Sequence, residues 1–171
     1  MLDVLLFIIG FLIVSFGFVV FFGAPYVPTL LEQIDDIMAI RPLGKKDVFV
    51  DVGSGDGVVL RAASKKASRA IGYELSPYLW LISKFLGRKQ KNITIHFGSF
   101  WRQELPSDTT VVYTFLNGKF MNKLEQKLQA HVDQHGKTIS FITYGFKIKG
   151  RKIEKQQGPM FLYKFKPQLQ T

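Results

Sequence analysis

The sequence has no cysteine, which excludes disulfides, cysteine-ligated zinc, iron–sulfur clusters and a thiol nucleophile. It also has no lysine or arginine before Arg41. The first 40 residues carry only acids: Asp3, Glu32, Asp35 and Asp36. No internal repeat and no low-complexity linker is present. A hydrophobic content of 47% excludes a disordered tail. The length of 171 residues allows one domain, or one domain with an appendage. What is present is strongly basic: 23 Lys and Arg against 13 Asp and Glu, a formal charge of +10. Beyond residue 24 the same 23 bases face 12 acids.

Val4–Ala24 (VLLFIIGFLIVSFGFVVFFGA) is a 21-residue run without charge. As a helix it would measure ~32 Å, the hydrocarbon thickness of a bilayer. A cleaved signal peptide needs a basic start and a shorter apolar core, and this segment starts with Asp3. The expectation is a retained transmembrane helix over residues 1–24. Because lysine and arginine stay on the cytoplasmic side, the N-terminus should lie outside and residues 25–171 inside, in the cytoplasm or the matrix.

Pro25 and Pro28 stiffen the link that follows, and Thr29 to Glu32 reads as a capping box opening an amphipathic helix. Leu30, Leu31, Ile34, Ile37 and Met38 supply its apolar face. Beyond it the pattern alternates. Strands are expected at 47–52, 70–75, 93–97, 110–116, 138–146 and 160–165. Helices are expected at 58–70, 77–89 and 120–135, the last with Phe120, Leu124, Leu128 and His131 on one stripe. Apolar strands alternating with helices mean an α/β fold with a mostly parallel sheet covered on both faces.

Three glycines follow the first strand directly: Asp51-Val52-Gly53-Ser54-Gly55-Asp56-Gly57. In open α/β sheets ligands bind beyond the C-terminal strand ends, and glycine lets backbone approach them closely. The second strand ends in another acid, Glu74, placed to accept both hydroxyl hydrogens of a ribose. A dinucleotide pyrophosphate prefers an uncluttered helix N-terminus, and Asp51 and Asp56 would repel it. The sulfonium and amino group of S-adenosylmethionine are cationic and suit these carboxylates.

The runs VDVGSGDG and GYELSP resemble motifs I and II of class I methyltransferases, whose fold is Rossmann-like. Taken with the apolar N-terminus, A-P-Y-V-P-T, GYELSPYLW and VVYTFLNGKFMNKLEQKL, the pattern resembles a narrower family. That family is the membrane-anchored protein-lysine methyltransferases whose mitochondrial members modify adenine nucleotide translocase and the c-subunit of ATP synthase. The resemblance implies an anchor at 1–24, a pre-motif segment and helix at 25–46, and a cofactor-binding methyltransferase domain at 47–171. It implies that Pro28 and Thr29 belong to a segment folding over the cofactor. Asp51, Gly53, Ser54, Gly55, Asp56 and Gly57 would surround its methionine end, Glu74 and Leu75 its ribose, and Ser99 and Phe100 its adenine. Two positions depart from the family. Ser99 stands where an acid usually holds the adenine amino group, and Val58 stands where many members carry a base.

Methyl transfer to lysine needs the neutral amine, which costs roughly 4–5 kcal/mol at pH 7 for an ordinary lysine. An apolar aromatic channel lowers that cost. Tyr26, Trp101 and Tyr113 are the leading candidates to line it, with Tyr78, Trp80 and Phe115 behind them. His131 and His135 have no third ligand nearby, so no metal is expected. The scattered basic clusters carry no RNA-binding motif; with an anchor in place they suit an anionic lipid surface, and no nucleic-acid partner is expected. The expected substrate is a membrane protein presenting a lysine. The alternatives are methylation of a lipid, quinone or other membrane-dissolved molecule, and a non-catalytic cofactor-binding membrane module. The anchor is checked directly: the full-length chain should resist high-pH carbonate extraction from membranes, and removing residues 1–24 should release a soluble domain. Extraction of the full-length chain would overturn the anchor.

Overall fold

The computed structural model describes residues 1–7, 9, 10, 17, 29 and 31–168, of which the side chains of Leu31 and Glu32 are excepted. Residues 2–7, 9, 10 and 17 are helical. Among the described residues no helix is long and apolar enough to cross a membrane. The expected span at 4–24 lies largely outside them, as do the capping box, Tyr26 and Pro28.

The strand that organises the rest is β1 (Val48–Val52), buried at every position. Such a strand reads as unbroken apolar sequence because both of its faces are covered. It lies inside a seven-stranded sheet of order β3-β2-β1-β4-β5-β7-β6, between β2 and β4. The other strands are β2 (Arg69–Glu74), β3 (Ile93–Phe97), β4 (Val111–Thr114), β5 (Ile139–Tyr144), β6 (Lys155–Gln157) and β7 (Met160–Phe165). β1 to β5 run parallel, while β7 pairs antiparallel with β5 and β6 with β7. From β1 the chain moves outward through β2 to β3, then crosses to β4 on the other side. A crevice opens at that reversal.

Alternation along the strands makes two cores. Val50, Val112, Phe141 and Tyr163 pack on one face beneath α4 (Met121–His135), which buries Met121, Leu124, Leu128 and Val132. Phe49, Val111 and Ile142 pack on the other against Ile37 and Ile40 of α1 (Leu31–Ile40) and Leu60 and Ala63 of α2 (Val58–Ser64). α3 (Pro77–Gly87) covers the β2–β3 edge. Arg41 makes two hydrogen bonds, of 2.6 and 2.8 Å, to the Asp47 carboxylate, which also accepts from Gly44 N–H and the Thr110 hydroxyl. That cluster fixes the end of α1 to the start of β1 and holds the Asp47 carboxyl below its usual range, in spite of burial.

The mostly parallel α/β architecture expected from the sequence is present, with local corrections. The strands expected at 110–116 and 138–146 end at Thr114 and Tyr144, where the chain leaves the sheet. The helix expected at 58–70 ends at Ser64, because Ala67 turns into the core and the Ser68 hydroxyl donates to the Asp47 carbonyl at 2.6 Å. The helix expected at 77–89 ends at Gly87. On α4 the buried stripe runs through Met121 and Val132, with Phe120 and His131 only half-buried. β6 has no counterpart among the expected strands: its three residues, KQQ, carry no apolar pattern. It is a ledge for α1, with Gln157 donating to Asp36 at 2.9 Å.

The glycine loop can lie flat on the sheet because β2 has Gly72 beneath it. A Cβ there would stand 2.5 Å from Leu60 Cδ1 and 2.6 Å from Ser54 Oγ. Gly72→Ala should therefore destabilise the domain by ~1–3 kcal/mol, read as a lower denaturant midpoint; an unchanged midpoint would mean that the loop relaxes freely.

Candidate active site

The C-terminal ends of β1, β2 and β4 surround a cavity of about 340 Å³. One wall is the glycine loop. Gly53 and Gly55 have φ of 81° and 56°, left-handed values that other residues adopt only with strain. Gly53 and Ser54 N–H donate to the Tyr73 carbonyl at 2.9 and 3.1 Å, so the loop hangs from the end of β2. Gly55 N–H donates to Glu74 Oε2 at 2.8 Å, and Ser76 N–H donates to Glu74 Oε1 at 2.7 Å. Glu74 thus joins the loop after β1 to the start of α3; the Leu75 N–H also acts on its carboxylate, which keeps acceptor capacity to spare.

Asp51 and Glu74 are both buried and both line the cavity. Burial pushes the Asp51 carboxyl well above its ordinary value, with the nearby charges of Glu74 and Asp56 adding to the shift. Burial also raises Glu74, partly offset by the N–H groups that it accepts. The site therefore holds excess negative potential inside a chain of +10. Asp56 lines the cavity too, but is largely engaged: it accepts from Val58 N–H at 3.1 Å and lies 3.6 Å from Arg61. The base absent at position 58 thus has a counterpart one turn along α2.

Much of the remaining wall is aromatic. Trp101, Tyr113, Phe115, Phe120 and Phe146 line it. Trp101 lies between Phe100 and Phe120 at ring separations of 5.5 and 5.7 Å, and Phe115 meets Tyr144 edge-on at 4.7 Å. Burial, and then the charge of Asp51, pushes the Tyr113 hydroxyl far up, so it stays protonated at neutral pH.

The cavity brings together Thr29, Asp51, Gly53, Ser54, Gly55, Asp56, Glu74, Leu75, Ser99, Phe100, Trp101, Tyr113 and Phe115 of the residues expected from sequence. Gly57 does not line it. Its φ of 78° opens α2, and a Cβ would run into the Ser83 hydroxyl, so its role is packing. Tyr78 and Trp80 do not line it either. Trp80 turns beneath α3, where its Nε1–H donates to the Ile95 carbonyl at 3.0 Å. Sequence reasoning misses Leu79, Leu116, Asn117, Phe120 and Phe146, all on the wall. Asn117 follows β4 and Phe146 follows β5, so the strand-end rule could have found both. His131 and His135 lie 4.4 Å apart on α4, their rings tilted by 52°, and do not line the cavity. Among the described residues no group of three His, Asp or Glu side chains could hold a metal ion.

Comparison with known proteins gives this geometry its setting. A family model described as the ANTKMT methyltransferase domain matches residues 51–155. The ATP synthase c-subunit lysine N-methyltransferase of Xenopus laevis is 29% identical over 119 residues, 68% of this chain and 52% of that protein. The adenine nucleotide translocase lysine N-methyltransferase of Mus musculus is 30% identical over 120 residues, again 68% and 52%. The chain thus spans about half the length of these relatives. Among solved structures, an RNA methyltransferase from Salinibacter ruber in complex with S-adenosyl-L-homocysteine superposes with a TM-score of 0.71 at 22% identity, covering 82% of this chain and 94% of that one. That likeness concerns the fold.

The buried acid sets a pH signature. The ordinary value of the Asp51 carboxyl is 3.8 and the folded value is higher, so the native state holds a proton that the unfolded chain releases. Stability must then fall as pH rises from 3.8 through the raised value, and the full penalty remains above it. Asp51→Asn removes the penalty. The ligand-free variant should melt at a higher temperature than wild type at neutral pH, with the gap closing in acid. A gap independent of pH in thermal melts would show that ionisation of Asp51 is not its cause.

Proposed function

The chain belongs to the ANTKMT methyltransferase-domain family, and from that premise we propose that it is an S-adenosylmethionine-dependent protein-lysine N-methyltransferase acting on a membrane protein. The observation that carries the reading is the cavity at the β1–β4 reversal, whose wall combines two buried carboxylates, Asp51 and Glu74, with aromatic side chains, Tyr113 standing beside Asp51 in the sheet register. The residues fit the cofactor. Asp51, destabilised as a buried anion, has the charge that a cationic amino group would relieve. The spare lone pairs of Glu74 can take ribose hydroxyls. Gly53 and Gly55 present bare backbone on the cavity wall, between Ser54 and Asp56. Ser99 and Phe100 flank the third wall, and Thr29 approaches from the segment before α1. Pro28 and Tyr26, just before Thr29, complete that segment in this reading.

When bound, S-adenosylmethionine supplies an electrophilic methyl carbon already activated by its sulfonium, so the protein has mainly to align the nucleophile and dry it. Trp101, Tyr113, Phe115, Phe120 and Phe146 form the wall on which a lysine side chain would lie. Their apolar surface favours the neutral amine, and their faces tolerate a methylated ammonium. Tyr113, held protonated, offers a hydrogen-bond donor and not a base. The proton of the lysine therefore leaves to water before transfer.

Residues 1–24 are the proposed membrane anchor, with the N-terminus outside and the domain on the cytoplasmic or matrix side. The uncharged 21-residue run and the confinement of every lysine and arginine to the region beyond residue 40 support that orientation. The names of the relatives above, whose substrates are a component of ATP synthase and a nucleotide translocase, favour a membrane-protein lysine as acceptor.

Calorimetry of S-adenosylmethionine binding tests the site. Hydrogen bonds to a charged group contribute roughly 1.5–3 kcal/mol, so Glu74→Ala should weaken binding about 10- to 100-fold. Unchanged affinity would remove Glu74 from the site. Circular dichroism must accompany the measurement, because the same change leaves the Gly55 and Ser76 N–H groups without their acceptor. Mass spectrometry of membranes with and without the variant identifies the acceptor. Lysine methylation on membrane proteins should disappear, and a loss confined to a lipid or quinone extract would sink the lysine reading.

A further inference from the structure

α3 is inside out. Its inward stripe is small: Ser83 and Gly87 are its buried residues. Its large aliphatic and aromatic side chains point away, with Leu81 57%, Ile82 45%, Phe85 63% and Leu86 42% exposed. Phe97, at the end of the edge strand β3, is 54% exposed and lies 5.6 Å from the Trp80 ring. An ordinary surface helix buries its apolar face, so a continuous patch of this kind marks an interaction surface.

The charges on the stretch of chain that carries the patch are all of one sign. No acid occurs between Glu74 and Glu104, a stretch that holds Lys84, Arg88, Lys89, Lys91 and Arg102. The Lys84 ammonium lies 5.1 Å over Trp80 and the Arg88 guanidinium 4.0 Å over Phe85. None of these five cations forms an ion pair among the described residues. We infer that this face of α3 and the end of β3 dock on an anionic bilayer surface, with Leu81, Ile82, Phe85, Leu86 and Phe97 entering the headgroup boundary while the cations meet lipid phosphates. An apolar face rimmed by lysine and arginine is the composition of an interfacial helix. Two other occupants match it less well. The apolar segment at 4–24 has no acid with which to neutralise the rim. A second copy would bring like charges together. The inference rests on the membrane placement proposed above.

The absence of native cysteine makes the test simple. Ile82→Cys, carrying one polarity-sensitive dye, reports on the patch, and Gln126→Cys, exposed on α4 across the sheet, is the control. The full-length chain is reconstituted into vesicles of phosphatidylcholine alone and of phosphatidylcholine with phosphatidylglycerol. The dye at 82 should shift to the blue and be quenched by brominated acyl chains only in the anionic vesicles, and high salt should weaken the effect. The dye at 126 should not respond. Each basic residue near an anionic surface is worth roughly a fivefold change in partition. Arg88→Glu with Lys89→Glu should therefore reduce the docked fraction at least about 25-fold by the same scale, and Leu81→Ser with Phe85→Ser should abolish the quenching. A dye that stays in water in both compositions overturns the inference. So does an equal shift in neutral vesicles or detergent, which would mean that the patch is covered by the chain itself or by a second copy. Vesicle flotation reports the anchor, and calorimetry reports cofactor binding. A failure of docking is thus read apart from a failure of the anchor or of the enzyme.

Discussion

One carboxylate holds the site together. Glu74 ends β2, and its two oxygens take N–H groups from two different loops, Gly55 after β1 and Ser76 ahead of α3. Both hydrogen bonds are buried, so each N–H would otherwise be an orphaned donor, costing about 1–3 kcal/mol. The β2 carbonyls complete the arrangement. Tyr73 accepts from Gly53 and Ser54, and Glu74 itself accepts from Gly98 after β3. Three adjacent strand ends are thereby tied at one residue. A side chain whose sequence position suggests only a sugar contact also sets the shape of the loop against which that sugar would lie.

The tie concentrates negative charge. Asp51, Glu74 and Asp56 converge on one cavity, and among the described residues only Asp56 has an ion-pair partner, Arg61. Bases elsewhere pair with acids at Asp47, Asp108 and Glu125, away from the cavity wall. A strongly basic chain has thus left its two most buried acids at the site without a basic partner among the described residues. That is a poor arrangement for stability alone. It is the arrangement expected where a cationic ligand completes the electrostatics, and it separates this site from one built for a pyrophosphate.

The fold is legible wherever burial leaves a pattern. β3 and β7 run as read, at 93–97 and 160–165, because β-branched and aromatic residues are bounded there by turn residues. The glycine loop is legible because three glycines after a buried strand have few other uses. What local pattern misses is decided by packing across the chain. Ala62-Ala63-Ser64-Lys65-Lys66 continues a helix by local propensity. Only the docking of Ala67 and the bond from Ser68 to Asp47 explain why the helix stops. β6 is polar and pairs as an edge strand, so no periodicity could announce it. Trp80 has the sequence position of a channel residue because it follows GYELSP, but the α3 register turns it under the helix. Phe146 reaches the cavity by lying against Gly118, where a Cβ would stand 2.8 Å away. A close approach between distant segments leaves no local signal.

α3 brings these threads into one geometry. Its first turns belong to the site: Leu75 and Leu79 line the cavity, and Ser76 N–H is held by Glu74. Its remaining length carries the outward patch and the cations. An 11-residue helix measures about 16 Å, so any surface met by Phe85 and Leu86 lies within roughly that distance of the cavity wall. The position of the patch therefore bears directly on which acceptors can reach the aromatic wall. A bilayer against the outer half of α3 would bring the headgroup level close to the cavity, within reach of a lysine at a helix end or short loop of an embedded protein. A tether at the N-terminus, as proposed, would set only the distance from the membrane. Contact through α3 would set the orientation as well, and orientation is what alignment of a nucleophile with a fixed donor requires.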